Sequence, residues 1–219
     1  MNLQEYILNE IRGLSLNTSV ESAQNVFKAF PITHIPVVEN ERFMGCLSES
    51  DIRSIEDNST PISEHSYLMD YFSAKENATV LELITAFADN DCNIMPVINK
   101  DKQYLGYFEL SDIIDVFSNS PFLHSNGVEI IAEKSKKEFA ASEVTQIVES
   151  NNGKVLGLYI SHQTADMTQV TVKISSEDVN EIIQTFRRYN YNIISQYEDD
   201  FYLQDLKDRS DYLQKYLDM

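Results

Sequence analysis

The chain has 219 residues, enough for a sizeable core and for one or two domains. Thirty-five Asp plus Glu against 17 Lys plus Arg give a formal net charge of -18, a surface that repels phosphate backbones at long range, so nucleic acid is not an expected partner. Cys46 and Cys92 sit in apolar runs at a spacing that fits no metal or redox motif, so both are expected as reduced core residues, and no apolar stretch reaches the ~20 residues a membrane span needs.

The N-terminal Met-Asn-Leu-Gln-Glu-Tyr lacks a basic region followed by an apolar one, so no secretory signal is expected and the cytoplasm is the expected compartment. Tyr6, Ile7 and Ile11 suggest a short helix. Thr18 or Ser19 then caps a helix whose apolar face is Val20, Ala23 and Phe27. A β-branched run with a proline follows, Ile32-Thr33-His34-Ile35-Pro36-Val37-Val38. After a short charged turn, Gly45 opens a second apolar run that leads through Ser48 and Asp51 into a helical pattern. Arg53 to Asn77 is a loop-like connector.

The unit is then written again. Thr79 with Glu82 fits a capping box, Val80, Leu83 and Phe87 repeat the helix face, and Asn93-Ile94-Met95-Pro96-Val97-Ile98 leads on to Gly106, Glu109 and Asp112. Pro36 and Pro96 are 60 apart, as are Val37 and Val97; Gly45 and Gly106 are 61 apart, as are Asp51 and Asp112, so the second turn carries one added residue. Two copies in register indicate a pseudo-symmetric pair, each copy strand-helix-strand-strand-helix.

Ser118-Asn119-Ser120-Pro121 ends the last helix of the pair, because proline cannot continue it. From Val128 the pattern changes to strand (Val128 to Ala132), helix (Val144, Ile147, Val148), strand (Lys154 to Ser161), strand (Val170, Val172, Ile174), helix (Val179, Ile182, Ile183, Phe186) and strand (Asn192 to Tyr197). That order, βαββαβ, is ferredoxin-like. In the tail, Leu203, Leu206, Leu213 and Leu217 have helical spacing, as a helix packed on its own domain or an arm toward a partner chain.

The two copies of (apolar)-Pro-Val-(apolar), turn and Gly-x-x-x-x-x-Asp, with Ser48 three residues before Asp51 in the first, resemble a tandem pair of CBS domains, the Bateman module. The C-terminal βαββαβ resembles an ACT domain, and the whole chain is similar to the acetoin-utilisation-type CBS-ACT proteins. The expected class is α+β, with CBS repeats at 1–60 and 61–122, an ACT-like domain at 126–200 and a helical tail at 201–219. The resemblance implies that the segment before each repeat packs onto that repeat. It further implies a regulatory module, often one that binds adenosine-containing ligands between the repeats; it does not imply catalysis. The turn after the first ACT-like strand, Glu133 to Glu138, lacks the glycine common in amino-acid-binding ACT domains, which favours a structural or dimerising role.

An adenine slot would lie along Thr33, His34, Ile35 and Pro36 and along Ile94, Met95 and Pro96. Asp51 and Asp112 would take the ribose diol by the family role, each having helix capping as its alternative. A phosphate would sit at the start of the following helix. Ser48 and Asp51 keep the family pattern and form the favoured site. The second copy has Glu109 where the first has Ser48, and a carboxylate beside a phosphate is repulsive, so that site is expected to be empty, to take an uncharged adenosine portion, or to be neutralised by a cation. His34 either stacks on the base or fills its wall. His34, His65, His124 and His162 show no metal-ligand spacing, and there is no P-loop and no Gly-x-Gly-x-x-Gly. The expectation is a homodimeric regulator that senses AMP, ADP, ATP or S-adenosylmethionine and needs no cofactor; the alternative is a ligand-independent dimerisation scaffold.

Overall fold

The computed structural model describes residues 3–195; the expected helix over 201–219 and the end of the expected strand at Asn192 to Tyr197 lie outside them. The chain divides into two compact units between Asn119 and Ser120.

In the first unit Ser19 caps α1 (Val20–Ala29) by accepting from the Ser22 N–H, and Val20, Ala23 and Phe27 form its buried face. The antiparallel hairpin of β1 (His34–Glu39) and β2 (Arg42–Ser48) follows, then α2 (Glu49–Ser54). The second repeat runs β3 (Ala74–Lys75), α3 (Val80–Asp89), β4 (Ile94–Ile98), β5 (Tyr104–Glu109) and α4 (Leu110–Ser118). Thr79 and Glu82 form the expected capping box on α3. The hairpins share one register: Pro36 opposes Cys46 and Val37 opposes Gly45, as Pro96 opposes Tyr107 and Val97 opposes Gly106, and each ladder slips directly after its valine.

Two expectations about the lead segments are corrected. The strand expected to open the first repeat is a single bridge, Leu14 parallel to Val37, matching Ala74 with Val97 sixty residues on. A turn closed by the Thr18 N–H on the Ser15 carbonyl stops it from extending. The expected helix through Ile11 is reduced to a 3-10 turn over Gln4–Tyr6, because the next backbone groups are taken by the other repeat. Leu8 exchanges both hydrogen bonds with Tyr107 on β5, and Asp70 does the same with Cys46 on β2. Each lead segment thus crosses to the opposite hairpin instead of packing only on its own repeat.

The crossing fixes the core. Ile94 and Tyr107 of the second repeat pack with Ile35, Leu47 and Ile52 of the first, and Phe43 and Cys46 of the first pack with Met95, Phe108 and Ile113 of the second. Cys46 and Cys92 are free thiols inside that core. The crossing also explains the paired glycines. Gly45 and Gly106 adopt φ of +143° and +140°, and a Cβ would stand 3.0 Å from the Asp70 carbonyl at the first and would overlap the Leu8 carbonyl at the second.

The second unit contains α5 (Pro121–His124), β6 (Val128–Ser135), α6 (Ala141–Ser150), β7 (Lys154–Gln163), β8 (Met167–Ser175), α7 (Val179–Arg188) and β9 (Asn192–Ile193). The antiparallel sheet has the order β7-β8-β6-β9, a ferredoxin-like arrangement. Val144, Ile147 and Val148 of α6 and Ile182, Ile183 and Phe186 of α7 pack against Ile130, Ala132, Val170, Val172 and Ile174 of the sheet. The charged run expected as a turn begins inside the fold: β6 continues through Ser135, and Lys134 is buried with its ammonium 2.7 Å from Glu143 and 4.7 Å above the Tyr191 ring.

Gly106→Ala is expected to destabilise the first unit by about 1–3 kcal/mol from backbone strain, with the clash against Leu8 in addition. Gly45→Ala should cost less, its Cβ having more room. Urea denaturation of both variants checks this; an equal or smaller loss at Gly106 would contradict the crossed lead segments.

Candidate functional site

The site is built on one pair of residues in equivalent places. Thr33 and Asn93 each precede the first hairpin strand of their repeat. The Thr33 N–H donates to Asn93 Oδ1 at 2.9 Å, the Thr33 hydroxyl donates to the same oxygen at 3.1 Å, and the Asn93 N–H donates to Thr33 Oγ1 at 3.1 Å. Asn93 Nδ2 reaches the Pro31 carbonyl at 2.7 Å. The carbonyls of the same two residues accept the first N–H of each following helix, Glu49 N–H on Thr33 and Leu110 N–H on Asn93. Both helix starts are therefore hung from the contact between the repeats.

At the first helix start Ser48 and Asp51 satisfy each other. The Ser48 hydroxyl donates to Asp51 Oδ2 at 2.6 Å, and the Asp51 N–H donates back to Ser48 Oγ at 3.0 Å. Ser48 is thus the cap of α2, and among the described residues the Asp51 carboxylate accepts from the Ser48 hydroxyl, not from a helix N–H. The His34 ring packs edge-on to Phe72 at 5.2 Å, and its Nδ1 lies 3.0 Å from Thr33 Oγ1. Burial pushes His34 below its ordinary value, against the opposing pull of Asp70, Asp51 and Asp91.

The second helix start is open. A cavity of about 420 Å³ lies between the lead segment at Glu10 and Ile11, the Phe30–Ile32 turn and the start of α4, with Ile94 and Tyr107 in its wall. Glu109 occupies the cap position of α4 without a side-chain capping bond, and Asp112, in the same first turn, makes no side-chain hydrogen bond among the described residues. Phe30 and Ile114, both substantially exposed, contribute apolar surface. Tyr107 is almost fully buried; burial first, then the neighbouring Glu109 and Glu10, holds its phenol above the ordinary range. The cavity lining carries two carboxylates, Glu10 and Glu109, and no Lys or Arg among the described residues.

The expected adenine walls need correction in their side chains. Ile35 and Met95 have no exposed surface and belong to the two cores. Pro36 and Pro96 are buried in their hairpins. Thr33 has both its N–H and its hydroxyl committed to Asn93. Ile94, though nearly buried, borders the cavity. Sequence reasoning missed Glu10, Phe30 and Tyr107 as cavity residues. The register that pairs Thr33 with Asn93 at an offset of 60 was the available signal for the contact between repeats. Among the described residues no group of three His, Cys, Asp or Glu could hold a metal ion, and no helix is long and apolar enough to cross a membrane.

Residues 7–57 and 65–119 match the CBS domain family. This is a CBS-domain protein. Its CBS pair is 25% identical over 111 residues to inosine-5'-monophosphate dehydrogenase of Methanocaldococcus jannaschii, covering 50% of this chain and 22% of that one. The chain spans about a fifth of the length of the curated relatives it matches. Among solved structures, a CBS domain pair/ACT domain protein from Thermotoga maritima superposes with a TM-score of 0.48 at 12% identity, covering 53% of this chain and 96% of that one. An acetoin utilisation protein from Vibrio cholerae does so with a TM-score of 0.46 at 20% identity, covering 54% and 91%.

His34 supplies a pH test of the CBS pair. Its folded value lies below its unfolded one, so between the two the unfolded chain binds more protons and stability rises with pH. That contribution is present above about pH 6.5 and is lost as pH falls through the folded value. Urea denaturation from pH 7 to pH 5 should show a smaller decline for His34→Gln than for the native chain; identical slopes would remove His34 from the account.

Proposed function

We propose that this protein is a regulator, not a catalyst, whose CBS pair binds an adenosine-containing ligand and whose C-terminal unit, read as ACT-like, assembles two copies. The cavity at the start of α4 carries the reading. It offers apolar surface from Phe30, Ile94 and Ile114 for a base, with Asp112 in the adjoining turn and unengaged, and a carboxylate can accept from both hydroxyls of a ribose diol. Ser48 and Asp51 form a second candidate in which the ligand would have to compete with the capping bonds. A ligand held at α4 also touches the Phe30–Ile32 turn of the first repeat, so it can favour one arrangement of the repeats over another, which is the requirement for a sensor.

Assembly is supported by β7, a ten-residue edge strand with Tyr159 and Ile160 each about half exposed. A second copy adding its own edge would pair the outward backbone groups of β7 that have no strand partner among the described residues, and would cover both side chains. The competing reading, a ligand-independent scaffold, draws on the same strand.

Thermal shift with AMP, ATP, adenosine and S-adenosylmethionine separates the two readings. A ligand at 100 times its dissociation constant should stabilise the folded state by ~2.7 kcal/mol. The shift should vanish in Asp112→Ala and persist in Asp51→Ala. No shift with any of these compounds would leave the scaffold.

A further inference from the structure

We infer that the cleft at α4 selects adenosyl compounds without a phosphate. The inference rests on the reading of that cleft as an adenosyl site and concerns which member of the class it takes.

The place where a phosphate would dock is the N-terminus of α4, a nine-residue helix. Three features oppose an anion there. The first N–H, that of Leu110, is already bonded to the Asn93 carbonyl at 3.0 Å. The cap position holds the Glu109 carboxylate, which takes the favourable end of the helix dipole for itself. Glu10 brings a second carboxylate from the lead segment, and no Lys or Arg lines the cavity among the described residues to offset the pair. The charge is felt inside the cleft, since Glu109, Glu10 and Asp112 all act on the buried Tyr107 phenol. The equivalent helix of the first repeat carries the neutral Ser48 at its cap, so the exclusion belongs to the second cleft.

The remaining surface suits a base and a ribose. A 5' substituent that is neutral, as in adenosine, or cationic, as in the sulfonium of S-adenosylmethionine, meets the carboxylates without repulsion. A phosphate dianion does not.

Isothermal titration with adenosine, S-adenosylmethionine and AMP on the native chain and on Glu109→Gln tests this. Gln keeps the size of the side chain, and no capping bond is lost with the charge. AMP should bind the native chain at least about ten-fold more weakly than adenosine, and Glu109→Gln should narrow that ratio several-fold. Tighter binding of S-adenosylmethionine than of adenosine would assign the carboxylates to a sulfonium, and equal binding to a neutral nucleoside; either supports the exclusion of phosphate. Raising salt should improve AMP binding to the native chain and leave adenosine unchanged. AMP binding as tightly as adenosine to Asp51→Ala, which lacks the ribose acceptor of the first cleft, or a ratio unmoved when Glu109→Gln is added in that background, would overturn the inference while leaving the adenosyl site intact. Binding of none of the three to either protein would overturn the adenosyl reading itself.

Discussion

Thr33 and Asn93 occupy the same position in two copies of one motif, and each completes the other's hydrogen bonds. A threonine hydroxyl has one proton and two lone pairs. Here the proton goes to Asn93 Oδ1, one lone pair takes the Asn93 N–H, and the other faces His34. Leaving such partly buried groups unpaired would cost about 1–3 kcal/mol each, so the contact holds the repeats in one relative position. Because the carbonyls of the same residues accept the first N–H of α2 and α4, the geometry of both helix starts follows from it.

The crossed lead segments extend that constraint over the whole first unit. Leu8 bonds to β5 and Asp70 to β2, so neither hairpin is complete without chain from outside its own repeat. The cores follow the same logic, with Tyr107 packed among first-repeat residues and Phe43 among second-repeat ones. A ligand at α4 would press at once on Glu10 in a lead segment, on the Phe30–Ile32 turn and on β5. Binding energy at one cleft is therefore shared between both repeats, which gives a regulatory reading a physical route.

Much of this was legible in the residues, for local reasons. Caps are local chemistry, and Ser19, Thr79 and Glu82 do what their positions dictate. Register was legible because the valines of the two copies recur at an offset of 60 and the glycines and aspartates at 61, and the helix and strand periods of the C-terminal unit settled its element order. Partners distant in sequence were not legible. Nothing near Leu8 tells it to pair with Tyr107 instead of its own hairpin, and nothing near Thr33 says that its hydroxyl is spent on a residue 60 positions away. The site suffered most for that reason. Ile35 and Met95 lie in a motif that reads as a ligand wall, yet a strand alternates its faces and both point into core. Glu10, in an unpromising lead segment, reaches the cavity only because that segment crosses.

A double-mutant cycle on Thr33→Val and Asn93→Ala, read by urea denaturation of the first unit, tests the central claim most directly. Each single variant strands the other's groups, so the account predicts that the double variant loses less than the sum of the singles, with a coupling of about 1–3 kcal/mol. Additivity within ~0.5 kcal/mol would mean that the two residues act independently, and the pairing that sets both helix starts would not be what holds the repeats together.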